Sequence, residues 1–86
     1  MNYFLSKSFE KQFKKLPKKT KNKTIERLQT FIFDPLDRKL NNHALMGLWA
    51  GYRSIDITGD IRAVYKNMDE NTARFTAIGS HSELYE

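Results

Sequence analysis

"GYRSIDITGDIRAVYKNMDENTARFTAIG" occupies residues 51–79, and its apolar and polar residues alternate in three successive runs. Alternation of period two marks a strand whose two faces meet different surroundings. In the first run Arg53, Ile55 and Ile57 share one face, and Tyr52, Ser54 and Asp56 the other. In the second, Ile61, Ala63 and Tyr65 oppose Asp60, Arg62 and Val64. In the third, Ala73, Phe75 and Ala77 oppose Arg74, Thr76 and Ile78. Thr58-Gly59-Asp60 and the polar run from Asn67 to Asn71 supply the turns. Three antiparallel strands are therefore expected, with one apolar face and one mixed polar face.

The residues before this stretch must cover the apolar face. "NYFLS", residues 2–6, reads as an opening strand, and Ser6 or Ser8 can cap a helix carrying Phe9, Phe13 and Leu16 at i, i+4 and i+7. Pro17 separates it from a second helix over about Lys18–Phe33, whose apolar stripe is Ile25, Leu28, Phe31 and Ile32. The residue before Pro35 is pushed out of the α region, which stops that helix. The expected class is α+β, ordered β-α-α-β-β-β, with a helical hairpin on one face of a curved, mainly antiparallel four-stranded sheet.

Eighty-six residues make one domain, 1–86, and 40% hydrophobic content can furnish its core. The absence of cysteine excludes disulfides, thiolate metal sites and cysteine nucleophiles, and fits a reducing cytoplasm. No apolar run approaches the roughly 20 residues of a membrane-spanning helix, and "MNYFLSKSFEKQF" lacks the apolar core of a signal peptide. Charge is uneven. Residues 1–40 carry 11 Lys and Arg against 4 Asp and Glu, a net +7, while residues 41–86 carry −2. The basic half points to a polyanion or an acidic protein partner; taken alone, a charge run is more often a solvated helix face.

The closing segment sets Asp60, Arg62, His81 and Tyr85 close together, which a packed hairpin does not require. Singly, each has a plain structural reading: Asp60 in a turn, Arg62 on a solvated strand, Tyr85 anchoring the terminus, either histidine in a loop. Together they are the parts of a phosphodiester chemistry. A histidine exchanges protons near neutral pH, an arginine holds phosphate oxygens, and a carboxylate orients an imidazole or takes a proton. His43 and His81 are 38 positions apart with no third ligand, so no metal site is expected.

"HALMGLWAGYRSIDITGDIRAVYK" followed by "RFTAIGSHSELYE" resembles the RelE-type toxins of bacterial toxin–antitoxin pairs, and within them the YafQ-like messenger-RNA interferases. The resemblance covers nearly the whole chain and rests on His-x-L-x-G-x-W-x-G-Y-R and the terminal Gly-Ser-His-x-x-Leu-Tyr. It implies a metal-independent endoribonuclease that cuts messenger RNA on the ribosome and is restrained by a cognate antitoxin. Its catalytic positions fall on His43, Asp60, His81 and Tyr85, with Arg62 matching the strand arginine that other RelE-type toxins use on the phosphate. His81 is then acid or base, and Asp60 and His43 its counterparts. Arg53, Asp56, Lys14, Lys15, Lys18 and Lys19 are the expected substrate contacts. The chain departs from the pattern where Asp56 replaces a strand histidine and Ser54 an aspartate. The rival readings are a ParE-like inhibitor of DNA gyrase, without nuclease activity, and a weakened relative that only binds its antitoxin.

Overall fold

The computed structural model describes residues 1–85. In chain order it holds β1 (Asn2–Leu5), α1 (Lys7–Lys14), α2 (Lys18–Phe33), β2 (His43–Ala44), β3 (Arg53–Asp56), β4 (Ile61–Asn67), β5 (Thr72–Ser80) and α3 (His81–Tyr85). One-turn 3₁₀ helices at Arg38–Leu40 and Gly47–Trp49 flank β2. The five strands form one sheet in the order β1-β5-β4-β3-β2, antiparallel except for the parallel β1–β5 pair. The expected α+β class is observed. The fifth strand arises because His43 and Ala44 pair with Ser54 and Arg53.

Local chemistry explains the helix limits. Ser6 caps α1, its hydroxyl oxygen accepting from Phe9 N–H at 3.0 Å. Pro17 takes the N-cap position of α2 without a side-chain hydrogen bond, and Asp34, ahead of Pro35, leaves the helix in an extended conformation. α2 buries Thr24, Leu28 and Phe31, while Ile25 and Ile32, expected on that stripe, are half exposed. Thr24 can enter the core because its hydroxyl donates to Thr20 O within the helix (2.8 Å).

The core packs aromatic rings between the helices and the sheet. Phe75 lies 5.1 Å from Phe31 and from Tyr65, 5.9 Å from Phe9 and 5.7 Å from Tyr3, centroid to centroid. One expectation fails on β5. Val64 pairs with Ala77 and Tyr65 with Phe75, so Thr76 is an extra residue in the ladder. This bulge inverts the alternation, turning Ile78 into the core and Ala77 onto the opposite face. The cap of α1 and a residue within it serve the backbone around it: the Ser6 hydroxyl donates to Thr76 O (2.9 Å), and Gln12 Oε1 accepts from Ile78 N–H (2.9 Å). No described helix is long and apolar enough to cross a membrane.

Candidate active site

The sheet face away from α1 and α2 carries the candidate chemistry. Cross-strand partners project to the same side. One row is therefore His43, Ser54, Val64 and Ala77; the next is Asp56, Arg62 and Gly79. α3 settles over this face beside Gly79, where an added Cβ would stand 3.2 Å from Glu83 Oε1 and 3.6 Å from Leu84 Cδ2. A side chain at 79 would require the Glu83 carboxylate to give way by a few tenths of an ångström.

Three contacts seat α3 and thereby His81 and Tyr85. Tyr85 O–H donates to Ser54 Oγ at 3.1 Å. The Trp49 indole N–H donates to Leu84 O at 2.9 Å, and His81 N–H donates to Asp60 O at 3.2 Å. The His81 ring meets the Tyr85 ring edge-on at 4.7 Å. Ser54, the cross-strand neighbour of His43, is thus joined to Tyr85, and Tyr85 to His81. The carbonyl of Asn41 lies 2.8 Å from His43 Nδ1, so the opposite ring nitrogen is left for a substrate.

Arg62 is fixed more firmly than a solvated strand arginine. Its Nη1 donates to Thr58 O at 2.9 Å and Gly59 O at 3.2 Å, and its Nε lies 3.0 Å from Asp56 Oδ1. That ion pair is close but poorly aligned, for Asp56 Oδ1 receives no well-directed hydrogen bond. Asp56 Oδ2 accepts from Asn41 Nδ2 at 3.3 Å. Nη2 is the remaining donor edge of the guanidinium.

His43, Arg62, His81 and Tyr85 thus share one face, and Asp60 joins them through its backbone, with its side chain exposed. Asp56 holds Arg62 rather than standing free for substrate. Arg53 lies elsewhere. It pairs with Tyr65 on the helix-covered face, and its Nε donates to Asn42 Oδ1 at 2.8 Å. Lys14, Lys15, Lys18 and Lys19 are all exposed on the helices. Among the described residues, no group of three or more His, Asp or Glu is placed to hold a metal ion.

Sequence reasoning missed two supports of the site. One is Trp49, whose bond to Leu84 nothing local in the sequence announces. The other was legible: Ser80-x-x-Glu83 is a capping box. Ser80 N–H donates to Glu83 Oε1 at 2.8 Å, and Glu83 N–H to Ser80 Oγ at 3.1 Å. The Ser80 backbone N–H, then its hydroxyl, hold the Glu83 carboxyl below its ordinary 4.5. A lowered folded value means that the cap contributes fully above 4.5 and loses that contribution as pH falls through the lower value. Acidification below 4.5 should accordingly loosen α3 and change the emission of Trp49, the sole tryptophan. Glu83→Gln, which still accepts from Ser80 N–H, should flatten this response. An equal response in both proteins rules Glu83 out as its source.

The family model described as "Bacterial toxin of type II toxin-antitoxin system, YafQ" matches residues 1–86. The putative toxin YafQ of Haemophilus influenzae is 36% identical over 52 residues, a match spanning 57% of this chain and 51% of that protein. The crystal structure of YafQ from Escherichia coli superposes with a TM-score of 0.78 at 28% identity, covering 99% of this chain and 98% of that one. The toxin in the crystal structure of the E. coli DinJ-YafQ toxin-antitoxin complex gives 0.76 at 29% identity, covering 99% and 97%. With its whole length matched and the same fold, the chain belongs to the YafQ family of bacterial type II toxin–antitoxin toxins.

Proposed function

We propose that this toxin is a metal-independent endoribonuclease that cuts messenger RNA on the ribosome, in the cytoplasm, and is restrained by a cognate antitoxin. One observation carries the reading: His43 is the cross-strand neighbour of Ser54, Ser54 accepts from the Tyr85 hydroxyl, the Tyr85 ring meets that of His81, and the next row of the same face carries a guanidinium fixed by its own turn. A base takes the proton of a ribose 2′-OH as that oxygen attacks phosphorus. The P–O2′ bond forms, the P–O5′ bond breaks, and an acid protonates the leaving 5′-oxygen, giving a 2′,3′-cyclic phosphate. His81 is assigned one proton transfer, with His43 or Asp60 performing the other. Arg62 Nη2 stabilises the phosphoryl oxygens as charge builds on them. Tyr85 holds the His81 ring and offers a face to a base.

The complex of E. coli YafQ with DinJ supports an antitoxin partner of the same kind here. The decisive experiment incubates purified toxin with translating ribosomes and maps the messenger ends. Growth arrest without messenger cleavage would turn the reading toward another target, as in a gyrase poison.

Arg62→Lys tests the fixed cation. One ammonium cannot hold Asp56 and the turn carbonyls while also donating to phosphate. Cleavage should fall on the order of 10²-fold. Equal rates for the two proteins would reduce Arg62 to background charge.

A further inference from the structure

A groove of about 840 Å³ runs between the first half of α2 and the β3–β4 turn, and adjoins the cluster described above at Asp56, Thr58 and Gly59. Lys19, Lys23 and Arg27 follow one another at i, i+4 and i+8 along α2, and Lys39 faces them from the adjoining 3₁₀ helix. Like charges at this spacing weaken a helix by a few tenths of a kcal/mol per pair, and they lie toward its positive end. α2 has no acidic residue in its first turn to offset them.

The two carboxylates that line the groove are matched within the fold. Glu26 bonds Lys23 at 2.9 Å, and Asp56 pairs with Arg62. Lys19, Arg27 and Lys39 have no carboxylate within 4.0 Å among the described residues, and Arg27 Nε is buried without an acceptor. Glu26 feels the field: its carboxyl is lowered first by the Lys23 hydrogen bond and charge, and further by Arg27 and Lys39. Thr58 Oγ accepts from Asp60 and Ile61 N–H, which leaves its hydroxyl proton for a ligand.

The groove is also joined to the catalytic cluster. Thr58 and Gly59 form part of its wall, and their carbonyls are the ones that hold Arg62 Nη1. We propose that this groove is a second phosphate subsite, which binds the RNA backbone away from the phosphate that is cut. Lys19 to Arg27 spans about 12 Å of helix axis, room for more than one backbone phosphate. A single strand entering here passes over the β3–β4 turn to reach Arg62. A protein ligand is disfavoured because the lining holds no exposed large apolar side chain for a peptide to anchor on: Ile57 is buried, and Phe33, Leu36, Met46 and Leu48 lie elsewhere. The proposal rests on the ribonuclease reading for its ligand, but binding can be measured without cleavage.

The test uses a fluorescent 2′-O-methyl oligonucleotide of about 10 nucleotides, which has no 2′-OH to attack. Lys19→Gln/Arg27→Gln/Lys39→Gln should bind it at least about tenfold more weakly, with a salt slope shallower by about 2. Lys19→Gln/Lys39→Gln, both at exposed positions, gives the same sign if the triple variant does not fold. Unchanged affinity and slope overturn the proposal, as does failure of the wild-type protein to bind the oligonucleotide at low salt. Unchanged RNA binding with slowed antitoxin association also overturns it, assigning the groove to an acidic protein segment. Weakened binding alongside a wild-type protein that never cuts messenger RNA upholds the groove and removes the nuclease reading.

Discussion

His81→Ala is expected to lower the rate of messenger cleavage by on the order of 10²–10⁴ with the fold intact. In free energy this is about 3–5 kcal/mol of lost transition-state stabilisation. The fold should survive because the side chain is exposed, on a five-residue helix, and meets the Tyr85 ring edge-on. Its bond to Asp60 O comes from the backbone N–H and persists in alanine. Single-turnover cleavage on programmed ribosomes, with circular dichroism of the same sample, separates chemistry from folding. A folded variant that cuts at the wild-type rate takes His81 out of the mechanism.

Phe75→Ala is expected to cost about 3–5 kcal/mol of stability. The residue is fully buried on a central position of β5, and its ring contacts those of Tyr3, Phe9, Phe31 and Tyr65, from four different elements. Small domains hold roughly 5–15 kcal/mol in total, so the variant should be largely unfolded at modest urea concentrations. Phe33→Ala is the control. That ring is 93% exposed, and its loss should stay within about 0.5 kcal/mol. A Phe75 variant as stable as the Phe33 one would mean that the aromatic cluster does not hold the domain together.

The helices were legible because their limits are local chemistry. Prolines 17 and 35 bracket α2 at Lys18–Phe33, and Ser6 with Phe9 opens α1. The period-two runs placed β3, β4 and β5, since alternation reflects the two surroundings of a sheet. The candidate site was legible in its residue types. His43 and Arg62 share one face through the register of β2, β3 and β4, and His81 and Tyr85 reach it because α3 is seated there.

Arg53 and Asp56 show where that reasoning stopped. Both could meet a substrate when judged by type, yet Arg53 turns to the helix side and bonds Asn42, and Asp56 is taken by Arg62. The rotation of α2 that exposes Ile25 and Ile32 and buries Thr24 was equally out of reach, since a threonine can satisfy its own hydroxyl only once the turn beneath it exists.

The sequence by itself determined β1, α1, α2, β3, β4 and β5 in their order, because caps, prolines and periodicity act over a few residues; β2 and α3, which carry His43 and His81, were not among its expectations. Only the tertiary structure decided the bulge at Thr76, the parallel docking of β1 on β5, and the seating of α3 by Trp49 over Gly79. The reason is that strand register is a property of two strands together. One extra residue in β5 costs nothing locally, and it becomes favourable when Ser6 and Gln12, about 65–70 positions away, supply partners for the backbone groups around it.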